Sequence, residues 1–323
     1  MGGDNHGQQG LASIAASGDF SAGHSGIAVD DALTALVTAV RREHGEAVAA
    51  VLFYGSCLRS GDPALGIADF YVLVSGYRAA GMGPVKALLN RLLPPNVYYL
   101  ETQLQGHTLR AKYAVLSLAQ FEHGASGGWL LPYLWGRFAQ PSQINWTRTP
   151  AVLQRLNQAL VAARRHFLTQ ASATLRGEFT TAGLWQHALQ MSYRTELRAE
   201  QTSKIKALVA ADPEYYTQAT PPALQHLKWV EPRAAGNYRL SPPTAVRWRA
   251  RFKWLLRRII GKLMSVARLF KSLFTFSGAV DYAAWKIERH SGRPVVLREW
   301  ERRYPWLGCW PVLWRLWRNG QLR

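Results

Sequence analysis

The chain has 323 residues and a formal net charge of +19. This length accommodates two domains with buried cores, and only two cysteines exclude a disulfide framework. No stretch reaches the roughly 18 consecutive apolar residues of a membrane-spanning helix. The region from Val246 to Arg323 holds 18 Lys and Arg against 4 Asp and Glu, so it carries +14 of the net charge. We therefore expect a polyanionic partner, which is nucleic acid, anionic lipid or a phosphorylated substrate.

The first 28 residues are rich in glycine and serine and predict a disordered lead. They lack the cationic start and the apolar stretch of a signal peptide, so we expect a cytoplasmic protein. A helix is predicted next, with Asp30 and Asp31 as its start signals and apolar residues spaced for one face. The residues of that face are Leu33, Leu36, Val37 and Val40.

The following segments predict a small mixed sheet. Strands are predicted over 50–54 and 68–74, a helix over 84–93, and two further strands over 96–104 and 109–118, joined by a hairpin-like turn at 105–107. The pattern becomes helical from about 151 to 225, where Pro221 and Pro222 are expected to end it. The sequence thus predicts an α+β protein with a mixed-sheet domain over 29–150, a helical domain over 151–240 and a basic amphipathic tail over 241–323.

Two features of the first strand pair point to a nucleotide site. Gly55 and Ser56 follow the first strand, where glycine permits a tight turn and close approach of backbone amides, and a serine hydroxyl can reach a phosphate oxygen. Asp69 lies in the apolar second strand, where an unpaired charge would be costly, so it requires a cation. Mg²⁺ held by one carboxylate and by triphosphate oxygens meets that requirement. On these residues alone, an ordinary turn and a strand-edge aspartate remain an equal alternative.

A glycine-serine pair followed by a strand-borne aspartate resembles the polymerase-beta-like nucleotidyltransferase superfamily. That superfamily usually has a second acid two positions later, on the same face of the strand, whereas this chain has Tyr71 there. Six short motifs in one order further resemble the mitochondrial translocator-assembly-and-maintenance family of phosphatidate cytidylyltransferases, over residues 50–292. The motifs are Tyr54-Gly55-Ser56, Ala68-Asp69-Phe70, Val97-Tyr98-Tyr99, Lys112-Tyr113-Ala114-Val115, Gly136-Arg137 with Pro141, and Ser192-Tyr193 with Arg198.

The resemblance implies a nucleotidyltransferase domain, a winged-helix-like middle domain and a C-terminal membrane-binding region. It implies CTP and phosphatidate as substrates, Mg²⁺ as cofactor, and the transfer of CMP to make CDP-diacylglycerol. The protein would then be peripheral on the inner face of the cell membrane. The family's acidic cluster after the aspartate-bearing strand is replaced here by residues 74–77, which contain no acid.

Candidate site residues follow from this chemistry. Lys112, in an apolar strand, is expected to act with Asp69 in catalysis, and Glu101 is the candidate second metal ligand. A solvent-exposed strand-end glutamate is an equal alternative for Glu101. The remaining candidates for substrate binding are Gly55, Ser56, Arg137, Tyr193, Arg198 and Lys204. For Arg137 and the helical cations, simple surface charge is the alternative.

The basic tail predicts an amphipathic helix lying in the membrane surface. Its predicted membrane-binding residues are Trp248, Phe252, Trp254, Arg257, Arg258 and Lys262. The alternative is an amphipathic helix packed on the body of the protein. Two other functional classes also stay open: a nucleotidyltransferase acting on nucleic acid, and a non-catalytic membrane-associated relative. Nucleic acid is not the expected partner, because the cations lie among leucines and isoleucines rather than on a polar stripe.

Overall fold

The computed structural model describes residues 28–61, 66–197 and 202–275, and near the C-terminus 288, 295, 297–303, 311, 314–315 and 318. The predicted disordered lead therefore lies outside the described residues, except for its last residue, and so does Arg198. These residues fall into two compact units. The helical unit comprises Ala49–Gly55 and Ser117–Ala267, and the sheet unit comprises Ser56–Leu116 with the described parts of Phe20–Val48 and Arg268–Arg323.

The elements follow one another along the chain in three groups. The first is α1 (Val29–His44), β1 (Val48–Tyr54), α2 (Ser56–Ser60), β2 (Ala68–Val74), α3 (Pro84–Leu92), β3 (Asn96–Leu104) and β4 (His107–Ser117). The second is α4 (Leu118–His123), a π-helical turn (Gly124–Gly128), α5 (Trp135–Phe138), β5 (Gln143–Thr147) and α6 (Pro150–Ser172). The third is β6 (Gly177–Thr180), α7 (Thr181–Tyr193), α8 (Thr202–Ala210), α9 (Pro213–Leu224), β7 (Val230–Pro232), β8 (Asn237–Leu240), α10 (Thr244–Thr275) and α11 (Glu299–Arg303).

The main sheet has five strands in the order β3-β4-β2-β1-β5. Its four predicted strands are confirmed within a few residues, and the mixture of sheet and helices agrees with the predicted α+β class. Strand β5 pairs antiparallel with β1; its five residues alternate between polar and apolar, a strand signal that was not used in the prediction.

Strand β4 shows how the sheet unit acquires two different faces. Side chains alternate along a strand, and in β4 Tyr113 is buried whereas Lys112 is partly exposed. Tyr113 pairs with Tyr98 of β3, and their rings stack with centroids 5.3 Å apart. The ring of His44, at the end of α1, meets both tyrosines edge-on at 5.8 Å. Helix α1 therefore covers this face, and the opposite face keeps its polar residues.

The helical unit is built around α6. Thr149 caps its start by accepting a hydrogen bond from the amide of Val152. The ring of Phe167 on α6 lies 5.9 Å from Trp135 and 5.7 Å from Trp185 of α7. All three side chains are fully buried, so they form the aromatic centre of this unit's core.

Of two predictions for the middle of the chain, one needs correction and one is confirmed. The stretch expected to be helical contains β6, which forms a three-stranded antiparallel sheet in the order β6-β8-β7. The predicted end of the helical stretch at about 225 is confirmed, because α9 contains Pro221 and Pro222 and ends at Leu224. A proline costs most in a helix interior, whereas these two lie in the last turn. Among the described residues, no helix is both long enough and apolar enough to cross a bilayer.

Candidate functional site

The polar face of the sheet unit brings Asp69 and Lys112 together. The Nζ atom of Lys112 lies 3.4 Å from Oδ1 of Asp69, and the two side chains are 34% and 22% exposed. Strand β2, which carries Asp69, lies beside β4 in the sheet, so two residues 43 places apart in sequence meet across one strand pair. The cation that the sequence required beside Asp69 is therefore present as a lysine side chain.

Tyr71 occupies the position of the superfamily's second acid. It lies two residues after Asp69 and so on the same face of β2, but its side chain is completely buried. The carboxylate at this face of β2 is thus that of Asp69 alone.

Glu101 is on the same face of the sheet but has its own partners. Its Oε1 accepts hydrogen bonds from Nε of Arg110, at 3.0 Å, and from the hydroxyl of Tyr99, at 2.7 Å. Glu101 stands opposite Arg110 in the β3-β4 register, and Tyr99 stands opposite Lys112. Burial and the neighbouring carboxylate raise the pKa of Tyr99 above its usual range, so its hydroxyl remains a donor.

The strand order separates Glu101 from Asp69. Strand β4 lies between β3 and β2, which places the two strands about 10 Å apart laterally. The structure therefore groups Glu101 with Arg110 and Tyr99 rather than with Asp69. Its assignment as a metal ligand stays a prediction.

The turn after β1 has the geometry that favours glycine. Gly55 has a φ of 94°, in the left-handed region where a side chain is strained. Ser56 follows as the exposed first residue of the short helix α2. The expected tight turn is confirmed, and the contact of either residue with a phosphate stays a prediction.

In the helical unit, Arg137 is held between two aromatic rings. Its guanidinium carbon lies 5.2 Å from the ring centre of Tyr54 and 5.4 Å from that of Tyr133. Stacking of this kind orients a guanidinium group and suits phosphate recognition. Sequence reasoning missed Tyr133, which lies in the turn before α5.

Tyr193 is linked to the helix that contains Arg137 through the side chain of Gln140. Its hydroxyl donates to Oε1 of Gln140 at 3.1 Å, and Nε2 of Gln140 donates to the carbonyl of Gly136 at the same distance. Gly136 directly precedes Arg137, so Tyr193 is placed to position α5, and its contact with a substrate stays a prediction. Lys204 is exposed on α8.

Two residues that were predicted to bind the membrane are buried in the protein. Trp254 and Arg257 of α10 are only 5% and 4% exposed. The indole of Trp254 donates to the carbonyl of Gln170 at 3.0 Å. Arg257 donates to the carbonyl of Leu130 and to Oε1 of Gln170, both at 2.8 Å. These two residues therefore attach α10 to the helical unit, and we remove them from the set of membrane-contact residues.

The buried guanidinium of Arg257 is accommodated by aromatic faces and carbonyl oxygens. It lies 4.8 Å from the ring centre of Trp254 and 5.2 Å from that of Trp135. Burial lowers the pKa of Arg257 to about 10. Burial also lowers the pKa of His166, beside Trp135, to about 4, with Arg257 adding to the effect. His166 is thus neutral at physiological pH.

The opposite side of α10 presents an apolar stripe to solvent. The stripe consists of Trp248, Phe252, Leu255, Ile259, Leu263 and Val266, which are between 50% and 65% exposed. Their spacing of three and four residues places them on one face of the helix. The predicted cations Arg258 and Lys262 are also exposed. The structure thus keeps Trp248, Phe252, Arg258 and Lys262 available for a membrane.

The predicted Mg²⁺ site contains one carboxylate, that of Asp69, at this face of β2. No group of three or more His, Cys, Asp or Glu residues able to hold a metal occurs in the part of the chain that the structure describes. A single carboxylate still fits Mg²⁺ when substrate phosphates supply other ligands.

Comparison with known proteins adds no family: no protein-family model matches this chain, and no curated protein matches it significantly.

Proposed function

We propose that the protein is a phosphatidate cytidylyltransferase that transfers CMP from CTP to phosphatidate at a membrane surface and releases pyrophosphate. The observation that carries the proposal is the Asp69–Lys112 pair, a carboxylate and an ammonium 3.4 Å apart on the polar face of the sheet. It supports the proposal because a nucleotidyltransferase needs an acid for Mg²⁺ and a cation for the triphosphate at one place. The ordered sequence motifs add the choice of substrates.

The proposed reaction is an in-line displacement. An ionised phosphate oxygen of phosphatidate forms a bond to the α-phosphorus of CTP, and the bond from that phosphorus to the bridging oxygen breaks, with its electron pair leaving on pyrophosphate. The nucleophile is already an anion at neutral pH, so no general base is required. Mg²⁺, when bound by Asp69 and the triphosphate, would neutralise phosphate charge.

Lys112 has two roles in this proposal. Its distance of 3.4 Å from Asp69 exceeds the usual 2.7 to 2.9 Å of a charge-assisted hydrogen bond, so the pair is an electrostatic contact rather than a tight bridge. The ammonium group orients the carboxylate and adds positive charge where the triphosphate would lie. Gly55 and Ser56 remain the candidate contacts of that triphosphate, and Arg137 and Lys204 are the described candidates for phosphate binding in the helical unit.

The exposed stripe of α10 supports the membrane part of the proposal. Large apolar side chains alongside Arg258 and Lys262 suit a helix lying in an anionic bilayer surface, where each cation contributes roughly 1 kcal/mol. The buried side of α10 shows that the alternative of a packed helix is also realised, but on the opposite face. One helix can therefore be attached to the protein and face lipid at once.

Helix α9 of the helical domain disfavours a nucleic-acid substrate. The strand order β6-β8-β7, with α7 and α9 between β6 and β7 in sequence, is compatible with the winged-helix-like interpretation. In nucleic-acid-binding proteins a basic surface accompanies such a fold. Helix α9 instead contains no Lys or Arg and exposes Glu214, Thr217 and Gln218.

A non-catalytic, membrane-associated protein is the second candidate. It is favoured by the buried Tyr71 at the second-acid position and by the pairing of Glu101 with Arg110. Both features leave Asp69 as a lone acid whose charge Lys112 already balances.

The two candidates differ in product formation. We would incubate the protein with labelled CTP, Mg²⁺ and vesicles containing phosphatidate, and measure labelled CDP-diacylglycerol. The wild type should form product, and Asp69→Asn and Lys112→Met should each lose about a hundredfold or more in rate. Glu122→Gln, which alters an exposed ion pair with Arg155, is the matched control and should retain activity. A folded, vesicle-bound wild type without product would favour the non-catalytic candidate.

A further inference from the structure

Helix α3 of the sheet unit has an unusually apolar exposed face. Val85, Leu88 and Leu92 are 68%, 56% and 69% exposed. They recur at three and four residues, so they share one face of the helix, while Ala87 and Asn90 pack inward. Three large apolar side chains on one face of a nine-residue helix form a patch of the kind that marks an interaction surface.

The charges of α3 indicate an anionic partner. The helix contains Lys86 and Arg91 and no acidic residue. Arg91 is exposed and Lys86 is partly so. Exposed apolar side chains on a helix whose own charged residues are all basic suit a bilayer that contains anionic lipid.

The C-terminal end of α3 is bonded to the last turns of α10. The ammonium group of Lys271 donates to the carbonyls of Leu93 and Pro95, at 2.5 and 2.8 Å. Nε of Arg268 donates to the carbonyl of Pro94 at 3.1 Å. Three successive carbonyls after α3 are thus held by two cations of α10.

This bonding brings a second pair of exposed apolar residues to the end of α3. Leu269 and Phe270, between the two bonded cations, are each 64% exposed. The exposed end of α3 therefore adjoins the exposed apolar residues Leu269 and Phe270 of the same unit.

We propose that α3 is a second membrane-binding element, whose Val85, Leu88 and Leu92 enter an anionic bilayer together with Leu269 and Phe270. The inference rests on the proposed membrane association and not on the proposed chemistry. It means that the sheet unit contacts lipid through its own residues.

Site-specific labels test the inference directly. A polarity-sensitive fluorophore would be attached to Leu88→Cys or Leu92→Cys in the full chain, with Cys309 replaced by serine. Phe252→Cys on α10 reports the proposed membrane association, and Gln218→Cys on α9 is the exposed control. On vesicles of phosphatidylglycerol and phosphatidylcholine, the labels at 88, 92 and 252 should shift to the blue, and the label at 218 should not.

The outcomes distinguish a failure of the inference about α3 from a failure of the proposed membrane association. A shift at 252 without one at 88 or 92 overturns the inference and leaves membrane association intact, whereas no shift at any position contradicts both. A shift at 88 or 92 that requires no vesicles and grows with protein concentration indicates a second copy of the chain, and also overturns it.

A binding measurement provides the second readout. The double variant Leu88→Ser/Leu92→Ser should bind the anionic vesicles at least about tenfold more weakly, since each leucine loses its apolar burial. Leu153→Ser, at a leucine 40% exposed on α6, is the matched control and should bind as the wild type does. Equal binding by the double variant and the control would overturn the inference.

Discussion

Replacing Lys271 by methionine should change how stability depends on pH. Lys271 is 5% exposed, and burial, with a smaller effect of Arg268, lowers the pKa of its ammonium group from 10.5 to about 8. Below pH 8 the lysine is charged in both the folded and the unfolded chain. Between pH 8 and 10.5 the folded protein has released a proton that the unfolded chain still binds.

The sign and the size of the effect follow from this difference. Because the unfolded state binds more protons in that window, the free energy of unfolding of the wild type rises with pH there. One pKa unit corresponds to about 1.4 kcal/mol, so the rise is at most about 3 kcal/mol. Lys271→Met lacks the group and should lack the rise.

Urea unfolding of both proteins at several pH values from 7 to 10 measures the effect. The free energy of unfolding of the wild type minus that of the variant should increase by about 2 to 3 kcal/mol over this range. Taking the difference removes the titration of tyrosines, which both proteins share. A difference that stays constant with pH would show that Lys271 is not buried as a cation against the carbonyls of Leu93 and Pro95.

Three further predictions address other parts of the structure. Gly261→Ala should lower the free energy of unfolding, measured with urea, by about 1 to 3 kcal/mol, because the new Cβ would lie 2.4 Å from the carbonyl oxygen of Thr195. An unchanged midpoint of urea unfolding would contradict the close packing of α10 at Gly261. Burial lowers the pKa of His166 to about 4. The free energy of unfolding should therefore fall by at most about 3 kcal/mol as the pH drops from 6.5 to 4. A similar fall in His166→Gln would show that protonation of His166 is not the cause. Glu101→Gln should reduce product formation less than Asp69→Asn, since β4 separates the two acids, and equal losses would support Glu101 as the second metal ligand.

The strands of the sheet unit were predictable because their side chains alternate or form apolar runs between turn residues. Asp69 and Lys112 could also be selected from the sequence as candidate site residues, since each charge interrupts such a run. Their contact was not predictable from local pattern, because it depends on β4 lying beside β2 in the sheet. The same strand order separates Glu101 from Asp69, which the chain order β2, β3, β4 does not reveal.

The errors in the helical unit have a different physical cause. Strands β6 and β8 have four residues each, too few to show a period. For α10, periodicity identified the exposed apolar stripe, but the opposite face is held by Trp254 and Arg257. An arginine is ordinarily assigned to the surface, and only three-dimensional structure supplies the tryptophan rings and carbonyl oxygens that stabilise its charge inside.

The central claim is that Asp69, with Lys112 beside it, forms the site for a metal-bound nucleoside triphosphate. The most direct measurement is the binding of Mn²⁺, as a spectroscopic substitute for Mg²⁺, followed by electron paramagnetic resonance with and without CTP. The wild type should bind Mn²⁺ tightly only in the presence of CTP, and Asp69→Asn should lose that CTP-dependent binding while remaining folded. Equal CTP-dependent binding of Mn²⁺ by the two proteins would contradict the claim.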